Sequence, residues 1–568
     1  MIRKSLSPKA KIQFLVIAIF AGVFLTGIVL FQVFPANVKR TYGQSTLTED
    51  GVSICYDVFE PLDDSSTNKN AVILGHGVMV GKETMRLIAL DLAKAGFVAV
   101  ALDFRGHGLS GGELTGFSLA NFGKFSDRCE ANPLTYDILA IKKRLQDRDD
   151  INMTNLGYVG YSMGGGAGFS LLSHDNDFNA MVGLAPVPSY SCTNTTNPRN
   201  LLMIIGQWDE AFDEDRLWKV IENKTDLPRT SLQKFQTYGD FNAGTATKLY
   251  IDDNADHFTA PYDFDFVVEI RNWMLQALLH TTDFPVDIAY PVLVTAVLMQ
   301  LVGGIGFFLT SSIPLLEKFA RKRERYPIPK PVVAATATKA FAGKFLAYEF
   351  PLSLACVVII LPLALTPMPF SGIFLAFFIG PSIAILILLW RTYKKAGASF
   401  GPAYRAVYAT TTTRNIGIGV GMGALLYAIL WLSMGTVIPV IPGLTRWGWL
   451  PLFLGAQFLS IVNILFFGLP FIYEKIGRGH KWGIIASTAV NFLLLVAIFS
   501  VPVLLICALI GNYFFLVGFI PAFFLFFVSS AVDTVFYART NDIILPALTT
   551  AIPIGLFLAT LSPYISIF

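Results

Sequence analysis

Apolar and polar positions fall into three regimes along the chain. Residues 12–33 form one uncharged apolar run, long enough at about 20 residues to cross a bilayer core. Residues 40–280 have ordinary globular patterning, with short apolar strands alternating with helical stretches. From residue 285 to 568 long apolar runs succeed one another, separated by short polar breaks. In the globular part, two early strands precede a buried strand at 70–74, which ends in Gly75-His76-Gly77. The pattern then predicts a helix over 82–95, a strand over 97–102, a helix over 133–146, strands at 156–159, 178–184, 200–205 and 247–251, and a helix over 264–279. Such alternation implies a mostly parallel sheet with helices on both faces, an α/β fold whose ligands bind at the carboxyl ends of the strands.

The last regime divides into eight candidate spans, near 286–313, 345–366, 370–390, 416–438, 448–472, 483–508, 512–535 and 544–566. Arg3, Lys4, Lys9 and Lys11 precede the first apolar run, which puts the N-terminus on the cytoplasmic side. Lys39 and Arg40, just beyond the run, are mildly contrary. A cleaved signal peptide would be shorter and would end in small residues, so the run reads as an uncleaved anchor. Basic residues then alternate as that orientation requires. Lys318 to Arg325, Arg391 to Arg414, Lys475 to Lys481 and Arg539 fall in predicted cytoplasmic loops, and the predicted outside loops hold only Arg446. The expected organisation is a basic cytoplasmic N-terminus (1–11), a transmembrane signal anchor (12–35), an extracytoplasmic domain (40–282) and a polytopic helical membrane domain (285–568).

With 568 residues the chain exceeds one ordinary domain, and a hydrophobic content of 54% is high for a soluble protein. The net charge of +3 carries little information, and no basic stripe with interleaved aromatics suggests nucleic acid. Asn152, Asn194 and Asn223 begin N-x-[ST] sequons, all within the segment placed outside, and are candidate glycosylation sites. Of five cysteines, Cys356 and Cys507 lie in apolar spans and read as packing residues. Cys55, Cys129 and Cys192 allow one disulfide and a leftover thiol; Cys129 with Cys192 is the expected pair, since both follow strands ending on one edge of the sheet.

The densest chemical signal is the stretch NLGYVGYSMGGGAG at 155–168, where Gly160-Tyr161-Ser162-Met163-Gly164 spells G-x-S-x-G between a strand and a helix. A serine pinched there is forced into a strained, exposed conformation above a helix N-terminus. This resembles the nucleophile elbow of the α/β-hydrolase superfamily. GFVAVALDFRGHGLSGG at 96–112 resembles the D-x-R-G-x-G-x-S segment of its monoacylglycerol-lipase, serine-aminopeptidase and dienelactone-hydrolase types. ILGHG at 73–77 is similar to their oxyanion segment. The resemblance covers about residues 50–280; the C-terminal region matches no family with comparable motifs. It implies an α/β-hydrolase fold, which the apolar runs flank with an N-terminal transmembrane helix and a C-terminal bundle of about eight.

A serine hydroxyl needs a base oriented by a carboxylate, and this superfamily supplies them in the chain order Ser, Asp or Glu, His. Of six histidines, His257, in the loop after the last strand, has the right place; His280 and His480 fall at a membrane entry and in a cytoplasmic loop. Asp209 matches the superfamily's strand-then-G-x-x-D, with Glu210 and Asp213 as alternatives. Ser162, Asp209 and His257 are almost evenly spaced, which leaves little room for a large lid and implies a compact site open toward the membrane. The backbone amides of Val78 and Met163 are the implied oxyanion donors. Tyr161 reads as packing, and the turn 103–111 as a shaper of the sheet top.

No metal and no organic cofactor is expected. In the membrane part, Glu349 and Asp533 read as interfacial residues near Lys344 and Arg539. Gln300, Gln457, Asn463 and Asn491 read as interhelical hydrogen-bond partners, and Gly417, Gly419, Gly421 and Gly423 as two G-x-x-x-G pairs for tight packing. The expected function is a membrane-integrated serine hydrolase that cleaves an ester, thioester or amide through an acyl-enzyme. Its substrate would be a small-molecule, lipid or peptide acyl compound, with membrane lipids around it. The arrangement of an N-terminal anchor, an outside hydrolase and many C-terminal spans loosely resembles that of the GPI inositol-deacylases, by analogy of architecture alone. The alternative is a transporter or receptor-like protein whose hydrolase-like domain only binds ligand.

Overall fold

The computed structural model describes residues 7–62, 67–115, 129, 132–212, 214–326, 328–336, 339–409, 411–511 and 513–565. It divides into two compact units. One comprises Ile28–Val297 together with two short segments from far along the chain, Met434–Trp447 and Thr560–Phe568. The other comprises Met1–Gly27, Leu298–Ser433 and Gly448–Ala559.

The first unit is built on a nine-stranded sheet of order β1-β2-β4-β3-β5-β6-β7-β9-β8. The strands are β1 (Val38–Leu47), β2 (Ser53–Pro61), β3 (Ala71–Gly75), β4 (Val98–Leu102), β5 (Leu156–Tyr161), β6 (Phe178–Leu184), β7 (Leu201–Trp208), β8 (Thr237–Tyr238) and β9 (Thr247–Asp256). From β4 through β9 neighbouring strands run parallel; β1, β2 and β8 join antiparallel at the two edges. The central strands are almost wholly apolar because both faces are covered, with Asn179 in β6 and Gln207 near the end of β7 as polar exceptions. In β3, Val72 and Leu74 enter one core with Leu87, Phe266 and Trp273, while Ala71 and Ile73 enter the other with Ile138, Phe169 and Leu217. This is the period-2 alternation of a strand serving two cores.

After helix α1 (Pro8–Val33), α2 (Arg86–Lys94) and α6 (Phe264–Leu279) cover the first face. Helices α3 (Leu134–Gln146), α4 (Met163–Leu172) and α5 (Glu214–Thr225) cover the second. The α5 helix and the short β8 had no counterpart in the sequence reading. A disulfide joins Cys129 to Cys192, with Cα atoms 5.0 Å apart, and Cys55 is a buried free thiol. Asn194 and Asn223 are both exposed, and Asn223, on α5, donates from its amide to the Tyr190 carbonyl at 2.9 Å.

The second unit is helical. Among the described residues of the whole chain, nine helical stretches are long and apolar enough to cross a membrane. Their bounds are Pro8–Val33, Tyr290–Phe319, Gly343–Leu363, Pro369–Lys395, Thr413–Thr436, Leu444–Gly477, Gly483–Leu509, Ala522–Thr540 and Ile544–Leu561. Close approach and neutral hydrogen bonds hold the helices together. Gln300 donates to the Gly27 carbonyl at 2.9 Å, Ser460 to that of Phe378 at 2.6 Å, and Tyr404 to Asn463 Oδ1 at 2.6 Å.

Only one of the two glycine pairs packs. A Cβ at Gly419 would lie 2.8 Å from the Leu545 carbonyl and one at Gly423 3.0 Å from that of Leu548, while Gly417 and Gly421 have no such neighbour within 4 Å. Residues two apart on a helix point to nearly opposite sides, so one partner helix can meet only one pair. Glu349 and Asp533 correct the interfacial reading. Both are buried, Glu349 accepting from Ser353 at 2.9 Å and Asp533 from Thr550 at 3.2 Å. Arg539 pairs instead with Glu317 at 2.6 Å.

Candidate active site

The carboxyl edge of the sheet gathers the motif residues. Ser162 follows β5 and holds φ 50° and ψ −112°, a region that L-residues avoid. Its backbone is pinned on both sides: its N–H donates to the Leu184 carbonyl at 2.9 Å, and its carbonyl accepts from Gly165 at 3.0 Å and Val187 at 2.9 Å. The flanking glycines are required by space. A Cβ at Gly160 would lie 2.5 Å from the Gly164 carbonyl, and one at Gly164 2.5 Å from that of Gly75.

Ser162 Oγ lies 3.0 Å from His257 Nε2, and His257 Nδ1 lies 2.8 Å from Asp209 Oδ2. All three side chains are nearly dry, with Ser162 5% and His257 3% exposed and the Asp209 side chain 1%. The other oxygen of Asp209 accepts from the N–H groups of Ala211 at 2.9 Å and Phe212 at 3.0 Å, which fixes the carboxylate after β7. Of the alternative acids, Glu210 takes a different place. Its Oε2 accepts from the His257 N–H at 3.4 Å. Burial, with the Asp209 charge adding to it, pushes the Glu210 carboxyl up to about 7. Asp213 lies outside the described residues.

The loop after β3 runs beside Ser162. A Cβ at Gly77 would lie 3.1 Å from Ser162 Cβ, and Val78 is the next residue along this loop. Met163 opens α4, so its N–H has no intrahelical acceptor. His76 holds this loop: Nε2 accepts from the Phe104 N–H at 3.0 Å, leaving Nδ1–H to donate to the Gly77 carbonyl at 2.6 Å. Burial pushes the His76 imidazole down to about 4, consistent with that neutral tautomer.

Tyr161 does more than pack. Its hydroxyl donates to the backbone carbonyl of His257 at 2.8 Å, and the two rings lie 5.5 Å apart. No sequence signal beyond the motif's variable position marked it.

The turn 103–111 explains its own motif. Asp103 Oδ1 accepts from the Lys82 N–H at 2.8 Å, and Oδ2 from Lys82 Nζ at 2.9 Å and the Leu109 N–H at 3.0 Å. Burial would raise the Asp103 carboxyl, but the Lys82 ammonium outweighs it and holds the group below the usual carboxylate range. Ser110 donates to the Asp103 carbonyl at 2.7 Å and accepts from the Cys55 N–H at 2.8 Å, which ties the turn to β2. Arg105 spans Asp137 at 2.8 Å and Asp50 at 2.6 Å. Asp252, Asp263 and Asp265 bring carboxylate oxygens within 4.8 Å of one another. Asp263 there caps α6 through the Phe266 N–H.

The sheet order and the strand–serine–helix elbow define an α/β-hydrolase domain. A family model described as serine aminopeptidase, S33 matches residues 66–210. Among solved structures, the Pyrococcus furiosus esterase Pf2001 is similar at 18% identity, over 43% of this chain and 96% of the esterase, with a TM-score of 0.33. The dienelactone hydrolase of Anabaena variabilis is similar at 16% identity, over 43% of this chain and 99% of that enzyme, with a TM-score of 0.29. The α/β hydrolase GrgF from Penicillium is similar at 12% identity, over 42% and 99%, with a TM-score of 0.31. No curated protein sequence matches the chain.

Proposed function

We propose that this protein is a membrane-integrated serine hydrolase that cleaves an ester, thioester or amide through an acyl-enzyme. The observation that carries the reading is the continuous contact from Ser162 Oγ through the His257 ring to Asp209, at 3.0 and 2.8 Å. In this reading His257 Nε2 takes the serine proton as Oγ attacks the carbonyl carbon. Asp209 holds the Nδ1–H tautomer and stabilises the imidazolium, which then protonates the leaving group. Water, activated by the same histidine, releases the acyl group. The Val78 and Met163 amides meet the negative charge on the tetrahedral intermediate, each contributing about 3–4 kcal/mol. Tyr161, bonded to the His257 carbonyl, keeps the base over the serine.

The proposed topology has a cytoplasmic N-terminus and the hydrolase domain on the other side. It is supported by the two distant segments that share the hydrolase unit. Four candidate spans separate Val297 from Trp447 (counting from Tyr290–Phe319), and four more precede the C-terminal tail, so an even number returns the chain to the same side each time. The apolar helices favour acyl substrates delivered from lipid or from the membrane surface. The test is full-length protein against the Ser162→Ala variant. Wild type should bind a fluorophosphonate probe and hydrolyse a short p-nitrophenyl ester, and the variant should do neither. Wild-type protein that is folded yet inert to both would overturn the reading and favour a ligand-binding role.

A further inference from the structure

The turn 103–111 takes no part in the proposed chemistry, yet its carbonyls are held by a residue more than 300 positions away. Arg446 is 1% exposed. It donates from Nη1 to the Gly108 carbonyl at 3.0 Å, from Nη2 to that of Gly106 at 2.5 Å and from Nε to that of Ser562 at 3.1 Å. These acceptors are backbone carbonyls of two separate segments, which the rigid fork of a guanidinium can join. The C-terminal tail adds to the clamp. Tyr564 donates its N–H to the Gly106 carbonyl at 2.8 Å and accepts from the Leu114 N–H at 2.8 Å. Gly106, at φ +72°, could not carry a side chain there, since a Cβ would lie 2.7 Å from the Tyr564 carbonyl.

The segment bearing Arg446, Met434–Trp447, also grips the two loops that flank Ser162. On the oxyanion side, a Cβ at Gly81 would lie 3.4 Å from Pro439 Cβ, and Arg86 donates to the Thr436 carbonyl at 2.8 Å. Gly81 closes the loop that carries Val78, and the neighbouring Lys82 is bound to Asp103 at the root of the turn. On the base side, the Tyr262 hydroxyl donates to the Val437 carbonyl at 3.0 Å, and Tyr262 follows closely on His257. One segment, which joins the end of the candidate span Thr413–Thr436 to the start of the candidate span Leu444–Gly477, thus contacts the oxyanion-side loop, the base-side loop and the turn that braces them.

We propose that Met434–Trp447 is a working part of the hydrolase site, in which Arg446 and the Val437 carbonyl fix the spacing between the oxyanion donors and the base. Arg446 and Tyr262 are positioning residues, acting through the loops that carry Val78 and His257. The inference rests on the serine-hydrolase reading above. It makes the chemistry depend on residues that the membrane part of the chain contributes.

The test uses the full-length chain in detergent micelles, with Arg446→Gln, Arg446→Lys and Tyr262→Phe. Readouts are kcat and KM on a short p-nitrophenyl ester, the rate of fluorophosphonate labelling, and Tm. Misplaced catalytic loops lower the rate of the chemical step, so Arg446→Gln should lose about 10- to 100-fold in kcat and in labelling rate while KM stays nearly constant. Arg446→Lys should recover part of the loss, and Tyr262→Phe should lose a few-fold with Tm nearly unchanged. Should Arg446→Gln fail to fold, Tyr262→Phe decides alone. Folded variants with wild-type kcat and labelling rate, or with a loss confined to KM, would overturn the inference. Wild-type protein that does not label overturns the hydrolase reading instead.

Discussion

The two units of this chain keep their buried polar groups in different ways. At the carboxyl edge of the sheet the hydrolase unit buries full charges in pairs: Lys82 with Asp103 at 2.9 Å, Arg86 with Asp57 at 2.9 Å and Arg105 with Asp137 at 2.8 Å. Between its helices the helical unit instead uses neutral donors on backbone carbonyls and glycines against neighbouring backbone, as at Gln300, Ser460, Gly419 and Gly423, while a largely buried ion pair, Arg323 with Asp542 at 3.6 Å, lies where the chain between helices is irregular. A helix satisfies its own backbone, so helices in an apolar medium need only approach closely. The loops after β3 and β4 have no such ladder, and side-chain charges must satisfy and orient their backbone groups. The comparison teaches that this chain spends charge where irregular backbone has to hold a geometry.

The largest effect expected from testing that contrast is at the site itself. Asp209→Asn should lower kcat by about 10³- to 10⁴-fold with little change in Tm, because a neutral amide neither fixes the His257 tautomer nor stabilises the imidazolium. Steady-state kinetics on the short ester would check it. Next comes the paired substitution of one buried polar group from each unit. Lys82→Met leaves Asp103 buried without its cation and should cost about 3–5 kcal/mol, whereas Gln300→Leu should cost about 1 kcal/mol. Thermal inactivation of the two variants would compare them; equal losses would break the contrast. A smaller difference is expected within one helix. Gly423→Val should destabilise the bundle through its contact with Leu548 and Ile552, while Gly417→Val should leave Tm unchanged.

The smallest effect concerns pH. Glu210 sits at about 7 in the folded protein because burial disfavours its charge. The folded state therefore holds a proton that the unfolded chain has already released, so this group's contribution is fully present below the ordinary carboxyl range and is lost as pH rises through 7. Glu210→Gln should flatten the fall of Tm between about pH 4.5 and 7, relative to wild type.

The hydrolase fold was legible because its strands are short apolar runs closed by glycine-bearing turns, and chain order singled out His257 and Asp209 as partners for Ser162. Sequence also separated the turn 103–111 from the chemistry, although not what holds it. Three things were hidden. Tyr161 occupies the variable position of G-x-S-x-G, and its role lies in a hydroxyl bond to a backbone carbonyl 96 residues away. Arg446 looked like a stray charge in an outside loop, since its acceptors at Gly106 and Gly108 lie 340 and 338 residues earlier and carbonyls leave no sequence mark. The burial of Glu349 and Asp533 was missed because position along an apolar run does not reveal which face of a helix meets a neighbour.

The central claim, that Ser162 is the nucleophile of a site completed by His257 and Asp209, is tested most directly by locating a covalent adduct. Full-length protein treated with a fluorophosphonate and digested for mass spectrometry should carry the adduct on the peptide containing Ser162, and prior His257→Gln substitution should prevent it. An adduct on another serine, or undiminished labelling of Ser162 without His257, would contradict the account.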